Sequence, residues 1–236
     1  MSKGAALLEV IACSVTDAVE AQQGGAGRLE IVSDLARGGL TPSLELVQQI
    51  IAIVSIPVRV MLRESESYEV ANEDEVDRLC EVAREFSRLR IDGLVLGFLK
   101  DERIDVDLTQ KLLACAPNLK ATFHHAFESA IPFKAIAEIK RISQVDRILA
   151  HGGNEDSSVK IDRLAMYQEM VRPEVEIIAG GGLDVEKIKA INSMTSIREF
   201  HVGRAARADG AVDGVVQAAR VKGLVDVIRR RALLAK

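Results

Sequence analysis

Tryptophan is absent from this 236-residue chain, and only two tyrosines and six phenylalanines occur. So few rings leave no stacking platform for single-stranded nucleic acid. The formal charge of −4 likewise lacks the basic face that duplex binding needs. Cysteine is scarce: Cys13, Cys80 and Cys115 are odd in number and form no CxxC pair. That spacing excludes a disulfide framework and a thiolate zinc site, and it suits a reducing cytosol. No apolar run reaches the length of a membrane span, and the start MSKGAALLEVIAC is too short in apolar core for a signal peptide. A soluble, cytoplasmic protein without nucleic-acid or membrane partners is expected. Hydrophobic residues make up 48% of the chain, which excludes disorder as the main state.

What is present is alternation between short β-branched runs and longer amphipathic stretches. Strands are expected at 7–13, 28–33, 58–63, 93–99, 120–127, 147–152, 175–181 and 199–205. Helices are expected after Ser14, after Pro42 and Ser43, and from Asn72, where Val76, Leu79, Val82, Ala83 and Phe86 share one face. Asp105, Pro132, Ser158 and Asp184 mark later helix starts, and a last helix is expected over 213–231. Eight successive βα units predict an α/β fold, a (βα)8 TIM barrel forming a single domain over 1–236. An open doubly wound sheet is the rival, but its first turn usually carries a glycine fingerprint, and here that turn reads ACSVT. The polar stretch 64–75 is either a lid over the site or a solvated loop.

In a barrel, chemistry belongs at the carboxyl ends of the strands. All four histidines, His124, His125, His151 and His201, fall in expected strands or at their ends. Alternation puts Thr122 and His124 on one face, turned inward, with His125 outward or at the rim. Arg59, Met61 and Arg63 share a face of the third strand, and Arg28 and Glu30 share one of the second. Glu9 stands on the first. Such inward charges form either a reactive cluster with perturbed pKa values or a structural polar layer. The glycines of AGGGLD (179–184) and VGRAA (202–206), including Gly181, Gly182 and Gly203, suit a phosphate or carboxylate aided by a helix N-terminus. Their other reading is tight turns. Arg204 is an auxiliary cation or a surface residue. Cys13, before a helix start, is a candidate nucleophile or metal ligand, or a packing residue.

Several of these segments carry a resemblance. RLEIVSDLARGGLTPS (28–43) is similar to a signature of the CutC family, the copper-homeostasis proteins. LLEV (7–10), IPVRVMLR (56–63), DGLVLG (92–97), ATFHHAFE (121–128), DRILAHGG (146–153), GGG (180–182) and EFH (199–201) follow in the family's order. The resemblance covers the chain to about residue 210 and implies a cytoplasmic (βα)8 barrel, often a homodimer. It also implies a role in copper tolerance, with Cu(I) held in some members by two cysteines. Those positions are Ile11 and Val32 here, which offer no thiolate. His125 replaces an arginine of the usual TFHRAFD, Glu128 replaces its aspartate, and MLRESESYEV replaces MIRPRGGDF. His151 stands where a small hydroxyl residue is common. These departures predict a divergent site.

The expected activity is metal-independent proton transfer on a small anionic, phosphorylated or carboxylated molecule. His124 is the expected acid or base, Glu9 or Glu30 its partner, and His201 a second acid. Arg59, Arg63, His151 and the three glycines are expected to hold the substrate. The alternative is a non-catalytic copper(I)-binding protein using Cys13, Met61 or histidines.

Overall fold

A computed structural model of the chain describes residues 6–234. Among them lie ten strands: β1 (Leu7–Ala12), β2 (Arg28–Ile31), β3 (Val58–Met61), β4 (Gly93–Leu96), β5 (Leu99–Lys100), β6 (Arg103–Ile104), β7 (Lys120–Phe123), β8 (Val145–Ala150), β9 (Glu176–Ala179) and β10 (Glu199–Val202). All but β5 and β6 pair in parallel and close into a barrel, β1 lying between β2 and β10. The helices are α1 (Val15–Gln23), α2 (Leu44–Ile53), α3 (Glu73–Ser87), α4 (Val106–Ala114), α5 (Pro132–Ile139), α6 (Ser157–Val171), α7 (Val185–Met194) and α8 (Ala218–Leu234). The (βα)8 architecture read from the sequence is the one observed.

The turns from strand to helix are set by capping side chains. Ser14, Ser43, Asn72, Asp105 and Asp184 each accept a backbone N–H from the first turn of the helix that follows. Pro132 opens α5, where its missing N–H costs nothing. Two expected starts move. Helix α6 begins at Ser157, and α8 begins at Ala218 rather than Asp213. The residues before α8 are held extended instead: Val216 bridges Arg207 and donates its N–H to Asp17.

The ladders stop short of most expected carboxyl ends, because the chain leaves the sheet there to build the mouth. Residues 125–127, expected as strand, belong instead to a 3-10 turn, His125–Ser129, after β7. The run 93–99 ends its barrel strand at Leu96 and then enters the β5–β6 hairpin. Asp101 and Glu102, at φ 50° and 58°, form its two-residue turn, which needs left-handed backbone at both positions.

A large apolar layer, with Leu8, Val60, Leu94, Phe123, Ile148 and Phe200, fills the space between strands and helices. Inside the barrel the apolar content is small, a cluster of Ile11, Val32, Met61 and Val95. The remainder is charge, and its lower part closes the amino end. Arg28 pairs with Glu9 and with Glu199 at 2.7 Å, and Arg147 reaches the same Glu199 at 2.8 Å. Asp146 joins Arg147 to Arg59. Arg59 also donates to Asp92 at 3.0 Å and to Thr122 at 2.7 Å. These residues lie at or just before the first turns of their strands, so the network is a floor.

Candidate active site

The mouth at the opposite end opens into a cavity of about 630 Å³. Glu30, Arg63, His124, His125, His151 and His201 line it, with Gly181, Gly182, Gly203 and Arg204 at the rim. Ile11, Met61 and Leu149 supply apolar wall.

His201, on β10, stands between two carboxylates. Its Nδ1 lies 2.8 Å from Glu9 Oε1 and its Nε2 lies 3.6 Å from Glu30 Oε2. Burial opposes its charge, but Glu30 and Glu9 outweigh that and raise its pKa. The two glutamates then diverge. Burial acts on both, but Arg28 and His201 hold Glu9 well below the usual carboxylate range. Glu30 faces weaker compensation, and burial pushes its carboxyl up to about 7. Of two acids on neighbouring strands, one is thereby held as a charge and the other titrates near neutrality, the pattern that separates a fixed charge from a proton carrier.

His124 directly follows β7 and is 1% exposed. Its Nδ1 accepts the N–H of Ala126 at 3.2 Å, so in the neutral ring the proton sits on Nε2. Burial, reinforced by His125 and Arg63, lowers its pKa well below the usual histidine value. Gly97 makes room for the ring, since a methyl there would lie 2.6 Å from Nδ1. Arg63 donates to the Arg37 carbonyl at 3.0 Å, and its Cζ lies 5.4 Å from the centre of the Tyr68 ring. The same Tyr68 ring is 5.3 Å from that of His124. Segment 64–75 therefore braces the cationic side of the mouth.

His125 also lines the cavity, a departure from the outward placement that alternation allowed. The 3-10 turn beginning there breaks the two-residue period, so neighbouring histidines share one opening. Their ring centres are 5.7 Å apart, and His125 is 6.0 Å from His151. Burial, then His151, His201 and Arg63, bring the His125 pKa down to about 4.

His151 is placed by a residue given no role from sequence. Glu128 accepts the backbone N–H of His151 and of Gly152, each at 2.8 Å. Its carboxylate also lies 3.3 Å from His151 Nε2. Gly181 adopts φ 79°, and a methyl there would lie 2.2 Å from His151 Cβ. Among the described residues nothing accepts the N–H groups of Gly181 and Gly182, and Arg204 has no polar partner. The helix N-terminus expected to assist them is taken: Asp184 caps α7 and pairs with Lys187 at 3.3 Å. An anion at this rim would rely on the glycine backbone and Arg204.

Three expected site residues lie elsewhere. Arg59, 1% exposed, belongs to the floor. Arg63 is four residues further along the same inward face, about 13 Å higher at 3.3 Å per residue. Glu9 does not line the cavity and orients His201, not His124. Cys13 opens on a neighbouring cavity of about 380 Å³ beside Asp17 and Arg207. Arg207 Nη2 donates to its sulfur at 3.4 Å. Burial raises the thiol pKa despite that cation, which disfavours the thiolate a metal would need.

Copper(I) does not fit this donor set. Ile11 and Val32 pack against Met61 and Val95 as hydrocarbon, leaving as soft donors at that cluster the Met61 thioether and, at its edge, the Cys13 thiol with its raised pKa. Among the described residues, no three His, Cys, Asp or Glu side chains are grouped to hold a metal ion.

The CutC family pattern matches residues 6–206. A CutC family protein of Photobacterium profundum is 32% identical over 213 residues, covering 89% of this chain and 87% of that protein. A mouse protein named as a copper homeostasis protein cutC homolog is 32% identical, covering 86% and 76%. The crystal structure of CutC from Streptococcus agalactiae superposes with a TM-score of 0.77 at 28% identity, covering 84% of this chain and 98% of that one. A thiamine phosphate pyrophosphorylase from Pyrococcus furiosus, at 16% identity and a TM-score of 0.58, shares the fold alone. By the family match across the barrel and by relatives at this identity, the chain belongs to the CutC family.

Proposed function

We propose that this CutC family member is an enzyme performing proton transfer on a small phosphorylated or carboxylated molecule held in the barrel mouth. The observation that carries this reading is the Glu9–His201–Glu30 arrangement. A proton-carrying carboxyl, titrating near neutrality, faces the cavity beside an imidazolium whose far side is pinned by a fixed charge. A group whose pKa lies near the working pH is the most effective proton carrier. Arg63, Arg204 and the free N–H groups of Gly181 and Gly182 supply the complement to an anion. The reaction class is lyase or isomerase, needing no metal from the donor set present.

The test is a screen of small phosphates and carboxylates with the purified protein, followed by NMR so that isomerisation is seen as well as cleavage. Conversion of at least one compound is expected, with Glu30→Gln slowing it by about 10²-fold or more. Absence of any conversion that depends on Glu30 would remove the reading. Pairing of two copies is part of the same proposal. Ile131 and Phe133 of α5 and its cap, and Met166 and Met170 of α6, leave exposed apolar surface on adjacent elements. A monomer in sedimentation at micromolar protein would count against it.

The relatives' names tie the family to copper homeostasis, and that role comes to this chain as a proposal at the level of physiology, not of a Cu(I) site. Titration against a competing Cu(I) chelator is expected to show no transfer of copper to the protein. Stoichiometric capture abolished by Cys13→Ser would contradict the donor-set argument.

A further inference from the structure

Three buried side-chain atoms of the mouth have no hydrogen-bond partner: Glu30 Oε1, Arg63 Nε and His124 Nε2. Their residues are 2%, 4% and 1% exposed, and all three line the same cavity. Buried polar groups are ordinarily satisfied, so three orphans around one space describe the partner they lack. Their chemistry is not uniform. Arg63 Nε is a donor only. His124 Nε2 is a donor too, because Nδ1 is engaged as acceptor by the N–H of Ala126. Both stand on the side braced by Tyr68. Glu30 Oε1 stands with His201 and is the acceptor of the set.

Two donors on one side require an oxygen that brings lone pairs and no proton. One carboxylate requires a proton to take. The wall that meets them includes Ile11 and Met61, suited to carbon rather than to hydroxyl groups. Resting on the proton-transfer reading above, we propose that the substrate presents a carbonyl oxygen to His124 and Arg63 and an adjacent carbon-bound hydrogen to Glu30, so that the reaction passes through an enolate. The balance is simple. The C–H bond breaks and its proton goes to Glu30 Oε1. The C–H electron pair forms the carbon–carbon double bond, and the carbonyl π pair moves onto oxygen. His124 Nε2–H and the Arg63 guanidinium face that developing charge, as an oxyanion hole does. Glu30 returns the proton to the same carbon; where that carbon carries a hydroxyl, the proton can go instead to the former carbonyl carbon, the hydroxyl proton passing to the enolate oxygen as the hydroxyl becomes the new carbonyl. No oxidant, reductant or co-reactant is needed. A neutral imidazole suits the electrophilic role, since it polarises the oxygen without surrendering its proton.

The test is exchange in D2O followed by proton NMR. The probes are pyruvate, 2-oxobutyrate, dihydroxyacetone phosphate and glyceraldehyde 3-phosphate, with lactate and glycerol 3-phosphate as partners lacking the carbonyl. The expected result is catalysed loss of the α-hydrogen signal from at least one carbonyl compound and none from the reduced pair. Glu30→Gln should reduce exchange to the uncatalysed rate, and His124→Gln should slow it by about 10²-fold or more. Arg63→Lys, which keeps the charge and loses the Nε–H donor, separates recognition from folding and should also slow exchange. No exchange above background with any carbonyl probe overturns the inference, as does exchange indifferent to His124 and Arg63. If the broader screen then finds Glu30-dependent conversion of a compound without a carbonyl, proton transfer stands and the carbonyl assignment falls. If neither experiment shows a Glu30-dependent event, both fall.

Discussion

At the residue scale, the site turns on how differently its buried groups are compensated. Glu9 and Glu30 are both removed from water, but Arg28 reaches Glu9 while Glu30 has its closest charge 3.6 Å away on His201. This difference has a thermodynamic signature. Glu30 titrates near 7 in the folded protein and near 4.5 when unfolded, so the native state binds the proton more tightly. Its contribution to stability is fully present below about pH 4.5, declines as pH rises, and is lost above about 7. Glu30→Gln, which mimics the protonated acid, should therefore gain stability relative to the parent between those limits and level off beyond them. Urea melts of both proteins across that range measure the difference, and a pH-independent gap would contradict it. His124 acts in the opposite sense. Its depressed pKa means that stability is present above its unfolded value and lost as pH falls.

At the element scale, the loop after β8 is pinned by the Glu128 carboxylate, with Arg163 donating to the Gly152 carbonyl at 3.0 Å. Removing Glu128 leaves the N–H groups of His151 and Gly152 unpaired, and a buried donor left so costs about 1–3 kcal/mol. Glu128→Ala should lower stability by that order and speed amide exchange at residues 151 and 152; unaltered exchange there would show that the loop is held otherwise. Gly181→Ala should be worse than an ordinary glycine replacement, since the methyl would meet the opposite loop as well as an unfavourable φ. This scale also shows what the sequence could and could not disclose. Two-residue alternation assigned inward faces to Glu30, Arg63 and His124, because the period of a strand is a local property. Height along the barrel is not local, so Arg59 and Arg63 looked equivalent although one joins the floor and the other the mouth. His125 was left outward or at the rim, and it lines the mouth because the chain switches there from strand to 3-10 turn, which leaves no period to read. Glu128 and Tyr68 gain their roles from loops distant in sequence. Ser158 missed the start of α6 by one residue, and Asp213 failed as a helix start because Val216, before α8, is tied to Arg207 and Asp17.

At the scale of the whole molecule, the barrel is stabilised at one end by ion pairs and at its outer surface by hydrocarbon. Arg28 is shared by Glu9 and Glu199, so Arg28→Met leaves the buried Glu9 with His201 and Glu199 with Arg147 as their remaining partners. Breaking a buried pair from one side costs about 3–5 kcal/mol, and thermal melting should show a loss of that order. The same substitution removes the cation that opposes charge on His201 and leaves Glu9 less neutralised, so the pKa of His201 should rise, measurable by NMR titration. A small change in melting with an unmoved His201 would mean that floor and mouth are independent. An anion seated at the rim should act in the other direction. At a hundred times its dissociation constant it would stabilise the fold by about 2.7 kcal/mol.

The network of Arg59, Asp146, Arg147, Glu199 and Arg28 has a further consequence for traffic. A tunnel would let reactant arrive by one portal and leave by another, but crossed guanidinium and carboxylate groups bar the lower passage. Whatever enters the mouth must back out the way it came. The chamber must empty before it refills, and any two molecules admitted together must depart in reverse order of arrival.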